Sequence, residues 1–158
     1  MKKSIKTSAI LAAYNVLNTA KYGSLDDKDK IKVWKIARAL KPVATKFEED
    51  TKDAAEKMKP EMEGGFDEML QKAQEFERMR TDPKADMKKA PMGAAEYDKF
   101  VKEFTKYNKL VTDAVKEFGE KVVKVEFEPL NEDSFGKLMD SNDWTMEQVV
   151  SLAEIICE

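Results

Sequence analysis

Residues 121–130 read KVVKVEFEPL, and within them Val123, Val125 and Phe127 alternate with Lys124, Glu126 and Glu128. Successive side chains on a strand point to opposite faces, so this is the pattern of a strand with one face buried. Nearly everything else in the chain has helical spacing. A solitary strand would leave its backbone donors and acceptors unpaired, and each buried orphan costs about as much as a lost hydrogen bond. A partner strand is therefore required. The other extended-looking segment beside a structural gap is KKSIKTS at the N-terminus. Its lysines would lie beside Glu126 and Glu128, and opposite charges across a strand pair add about 0.2–1 kcal/mol each. We expect these two segments, in either direction, to form a two-stranded ribbon burying Val123, Val125 and Phe127 and joining the two ends of the chain.

The charge distribution agrees. Residues 1–47 carry 11 Lys/Arg against 3 Asp/Glu, a net +8, whereas residues 126–158 carry 1 against 9, a net −8. A basic surface for nucleic acid with an acidic tail would have this polarity. Two ends that fold against each other would have it too, and the strand favours that reading.

Between these ends the spacing predicts helices. One runs from about Ser8 to Lys21, with Ile10, Tyr14 and Leu17 on one face and Gly23 stopping it. Ser24 is expected to open a long second helix, about Leu25 to Lys59. Its apolar positions Ile31, Trp34, Ala37, Leu40, Ala44 and Phe47 step by three and four. Pro42 is expected to kink or break it near Ala39–Lys41. A shorter helix covers about Phe66 to Arg80. Residues 81–93, with two prolines and no periodicity, read as a mobile loop. From Ala94 to Phe118 the series Tyr97, Phe100, Phe104, Tyr107, Val111 predicts a second long helix, closed by Gly119, whose aromatics interleave with the first. After the strand, Asn131 caps a short helix, and Thr145 with Gln148 has the spacing of a capping box before a last helix burying Val149, Leu152, Ile155 and Ile156. The expected fold is one mainly α domain over 1–158: an antiparallel pair of long helices, shorter helices and the ribbon.

Several chemistries lack their residues. The chain has no histidine, the commonest general base and zinc ligand. Its one cysteine, Cys157, makes an internal disulfide impossible and reads as a small apolar residue ending a helix. EGGF lacks the strand–loop–helix setting of a phosphate loop. Asp140, Asn142 and Asp143 begin like a calcium loop, but position 145 is Thr where that loop needs Gly, and position 151 is Ser where it needs Glu. Glu48, Glu49 and Asp50 read as a solvated face. No catalytic residue, metal site or cofactor is expected, and no membrane span.

The alternative to a purely protein-binding role lies on the second helix, where Lys28, Lys32 and Lys35, with Arg38 and Lys46 nearby, form a basic stripe fit for phosphate contact in nucleic acid; the preferred reading is a solvated face that also answers the acidic C-terminal segment. The aromatics at 97, 100, 104 and 107 share the spacing of a buried face and read as core before base-stacking.

SAILAAYNVLNTAKYGSLDDKDKIKVWKIARALKP near the start and EFEPLNEDSFGKLMDSNDWTMEQVVSLAEIICE at the end together resemble small, mainly helical proteins encoded in bacteriophages and prophages, especially those of gut Bacteroidetes. The resemblance implies a phage or prophage origin and a role in assembly, and it carries no catalytic residues. The expected function is a non-enzymatic protein–protein interaction or assembly protein. Its surfaces would be the exposed parts of the long helices and the 81–93 loop, and its partner another protein or a second copy of itself. The expected location is the host cytoplasm or the virion.

Overall fold

A computed structural model describes all 158 residues. The ribbon forms as the alternation predicts. β1 (Lys2–Lys6) pairs antiparallel with β2 (Val122–Glu126), in a register that sets Lys3 opposite Val125 and Ile5 opposite Val123. The pairing extends past both strands. The Met1 amine donates to the Phe127 carbonyl at 2.9 Å, and the Thr7 amide and hydroxyl both donate to the Lys121 carbonyl at 2.8 Å. Val125 and Phe127 are buried, Val123 is half-buried, and Val122 on the opposite face is 57% exposed. One strand thus presents an inward and an outward valine at adjacent positions.

Six α-helices complete the chain: α1 (Thr7–Asn18), α2 (Asp27–Lys57), α3 (Phe66–Thr81), α4 (Ala94–Glu120), α5 (Glu132–Asp140) and α6 (Met146–Ile156). A single 3-10 turn, Met87–Lys89, lies in the segment between α3 and α4. The fold is mainly α with a two-stranded sheet. Its contacts gather into two compact units, residues 1–51 with 115–158, and residues 52–114. Both long helices, α2 and α4, contribute to each.

In the first unit, α1, α2, β2, α5 and α6 surround a core built on Ile10, Ile36, Leu40, Leu130, Leu138, Leu152 and Ile156. Polar groups fasten the edges of this core. Lys3, on the inward face of β1, donates from Nζ to the carbonyls of Ile155 at 3.0 Å and Cys157 at 2.8 Å. These are among the carbonyls that a helix C-terminus leaves without an internal donor. The Leu130 amide takes the Ile156 carbonyl at 2.8 Å, so the segment after β2 runs beside the end of α6. The Asn131 cap and the Thr145–Gln148 capping box are both present.

Three local expectations are corrected. Ser24 does not open α2; the carboxylate of Asp26 does, by accepting the Asp29 amide at 2.8 Å. Pro42 neither breaks α2 nor ends it. Proline removes the bond to the carbonyl four residues back, here that of Arg38; both residues are exposed, so the gap lies on the solvent side of α2, within reach of water. Gly119 does not close α4, which runs on to Glu120. Gly119 is buried there, where an added Cβ would lie 3.5 Å from that of Ser8.

In the second unit the aromatic stripe of α4 is met chiefly by α3. Phe66 packs on Phe100, Phe104 and Tyr107, with ring centroids 4.8 Å apart for the last, and Phe76 stacks on Tyr97 at 4.6 Å. The early residue of α3 meets the late residues of α4, so these two helices are antiparallel. The expected stripe is therefore core, but with α3 rather than the first long helix supplying the interleaving rings. α2 contributes its backbone here, the Ala55 carbonyl accepting from the Tyr107 hydroxyl at 2.8 Å.

Candidate interaction surface

The largest departure from expectation is on α2. The core side of the helix carries Val33, Ile36, Leu40 and Ala44, whereas Ile31 and Trp34 are 53% and 57% exposed. Both series step by three and four and both pass through Leu40. Three residues fall about 60° short of a full helical turn, so three consecutive steps of three from Ile31 to Leu40 travel about halfway round the cylinder. Ile31 and Leu40 lie on opposite sides.

The outward side of α2 is thus apolar as well as basic. The Arg38 guanidinium lies over the Trp34 ring at 5.3 Å from its centroid, a contact between cation and ring quadrupole. Lys28, Lys35 and Lys41 are exposed around it.

The structure divides the candidate basic residues into two groups. Lys28, Lys35 and Arg38 stay on the solvent face. Lys32 turns aside: its Nζ lies 2.9 Å from Glu128, and its side chain is only 16% exposed. That hydrogen bond holds the Lys32 ammonium above its ordinary range, and the same bond holds the Glu128 carboxyl below its own, with Lys28 and Lys35 adding attraction from farther away. Lys46 pairs with Asp50 at 2.9 Å. Glu128 therefore answers the basic face of α2, as the preferred reading of that face expects, and not a lysine of the N-terminal strand; Glu126 does approach Lys2, at 3.8 Å.

Lys32 has a buried neighbour that sequence reasoning missed. Asp29, in the first turn of α2, is 8% exposed and accepts a hydrogen bond from the equally buried Ser134 hydroxyl. A carboxylate there is also favoured by the helix N-terminus. Asp29–Ser134 and Lys32–Glu128 thus lie toward the same side of α2 as the buried Val33, Ile36 and Leu40, away from Ile31 and Trp34.

A second mixed surface lies on α6. Leu152, Ile155 and Ile156 face inward, so Met146 and Val150, one turn apart, face out, 75% and 48% exposed. Asp143, Glu147 and Glu154 are exposed around them. The residues that resembled a calcium loop are used otherwise. Asn142 accepts the Lys21 amide at 2.7 Å and donates to the Lys21 and Leu138 carbonyls, tying the turn after α5 to the segment that follows α1.

Hollows occur in both units, one of about 710 Å³ among Met62, Met69, Lys72, Lys99 and Phe100 in the second. In the first unit, Pro42, Val43, Phe47, Phe118 and Val123 line a hollow of about 330 Å³, where the Thr7 hydroxyl already serves the Lys121 carbonyl and Lys46 already pairs with Asp50. In the second unit, Lys59 at the edge of a hollow is held between Glu56 and Asp67 at 2.7 and 3.1 Å. No three His, Cys, Asp or Glu side chains stand together as metal ligands, and no helix is long and apolar enough to cross a membrane. Comparison with protein-family models, curated proteins and solved structures finds no match for this chain.

Proposed function

We propose that this chain is a non-enzymatic interaction protein whose α2 docks an acidic, partly apolar surface of another protein. The observation that carries the reading is the exposure of Ile31 and Trp34 together, ringed by Lys28, Lys35, Arg38 and Lys41. Trp and Arg are the residue types that most often dominate binding energy at interfaces, and surrounding lysines steer an acidic partner. An assembly role and a phage or prophage origin belong to the same proposal and rest on the sequence resemblance alone. A neighbouring capsid, portal or tail gene supports that origin; a metabolic neighbourhood opposes it.

The second reading is contact with single-stranded nucleic acid, since an exposed Trp beside lysines can stack a base. Two features favour protein. The Trp34 ring is already covered on one side by Arg38, and two of the five candidate basic residues, Lys32 and Lys46, are spent on carboxylates.

A photo-reactive amino acid placed at position 34, with a control at exposed Lys52, tests this in the cells that encode the chain. Discrete protein adducts from position 34 alone are the expected result. Nucleic-acid adducts from position 34, reduced when the crosslinking is repeated on the purified chain at raised salt, would overturn the protein reading in favour of the second.

A further inference from the structure

We infer that the partner of the α2 face is the α6 face of a second copy of this chain. The inference rests on reading α2 as a protein-docking surface and names its occupant. The two faces are opposite in charge and alike in form. On α2, Ile31 and Trp34 sit among Lys28, Lys35, Arg38 and Lys41; on α6, Met146 and Val150 sit among Asp143, Glu147 and Glu154. At about 1.5 Å per residue, Lys28–Lys41 on α2 spans about 20 Å, long enough to lie along the roughly 12 Å from Met146 to Glu154 on α6. Within one copy the faces do not meet, because all four apolar residues are 48% exposed or more. Apposing them between copies would cover both apolar patches and neutralise both charge clusters at once.

Such a contact joins two different surfaces and is heterologous. Each copy carries one of each, so association proceeds head to tail, into a ring where the rotation closes and into open chains where it does not. One helix face on another is a small interface, so association is expected at roughly 10–500 µM.

The test uses two variants of the full chain, Trp34→Glu and Val150→Lys. Both positions are exposed, and far-UV circular dichroism checks that each variant keeps its helices. Sedimentation velocity of the unaltered chain should show mass rising with concentration. Each variant alone should stay monomeric at about 500 µM, whereas an equimolar mixture should form a 1:1 dimer and nothing larger, because one intact face of each kind remains. A parent chain that is monomeric throughout, a variant that still associates, or a mixture that stays monomeric overturns self-association. If the photo-reactive residue at position 34 then captures a different protein, the docking role of α2 survives without the second copy. If it captures no protein, both fall.

Discussion

Lys32 and Glu128 lie 2.9 Å apart, the first on α2 and the second just beyond β2. This pair converts the charge polarity of the sequence into structure. It ties the basic N-terminal third to the acidic C-terminal fifth and withdraws one lysine from the stripe that would otherwise read as phosphate-binding.

The pair's contribution depends on pH at two edges. The Glu128 pKa is lowered by Lys32, so its share is full above the ordinary carboxylate value of about 4.3 and is lost as pH falls through the lowered value. The Lys32 pKa is raised by Glu128, so its share is full below the ordinary value of about 10.4 and is lost as pH rises through the raised one. Glu128→Gln should lower the melting temperature slightly near pH 7, with the gap from the parent closing toward both extremes. A gap constant from acid to alkali would show that the pair is not the cause.

β2 allows an internally controlled test of the alternation. Val125 is 6% exposed and its neighbour-but-two Val122 is 57% exposed. Val125→Ala should cost about 2 kcal/mol, and Val125→Lys about 3 kcal/mol or more, because an unpaired charge would be buried. The same changes at Val122 should stay within about 0.5 kcal/mol. Urea denaturation measures all four, and equal effects at the two positions would contradict the assigned face.

Lys3 offers a test of how the ends are joined. Its ammonium serves the carbonyls of Ile155 and Cys157 at the end of α6. Lys3→Met keeps the apolar stem but removes the donors, and should cost about 1–2 kcal/mol. Amide hydrogen exchange should quicken first in the last turn of α6. A uniform change across the protein would argue against local capping.

In the second unit the central ring is Phe66, buried against Phe100, Phe104 and Tyr107. Phe66→Ala should destabilise by about 3–5 kcal/mol through lost burial and the cavity left behind. Phe66→Leu should recover more than half of that. Calorimetry distinguishes them, and a small effect of Ala would place the ring outside the core.

The aromatic series of α4 shows what periodicity can do when a face is long and bulky. Tyr97, Phe100, Phe104 and Tyr107 share one stripe that packs on α3, with Phe100 buried and the other three half-buried, although their spacing could not say that α3 would fill it. The caps at Asn131 and Thr145–Gln148 were equally readable, since such bonds span three residues and need no distant partner. The strand from Val123 to Phe127 was readable for a different reason: unpaired backbone demands a mate, and few segments could supply one.

Where two local solutions satisfied the same rule, tertiary structure chose between them. Apolar residues lie on both sides of α2, and whether Val33 and Ile36 or Ile31 and Trp34 turn inward depends on which side meets α5 and the end of β2. Asp29 with Ser134, 105 residues apart in the chain, and Lys32 with Glu128 join the burial of Val33, Ile36 and Leu40 on the side that turns inward. The sequence by itself determined the helical composition, the ribbon and the caps at Asn131 and Thr145, because those follow from interactions between near neighbours and from the obligation to pair backbone groups. Only the tertiary structure decided which faces remain in water, because burial belongs to the meeting of distant segments and not to either segment alone.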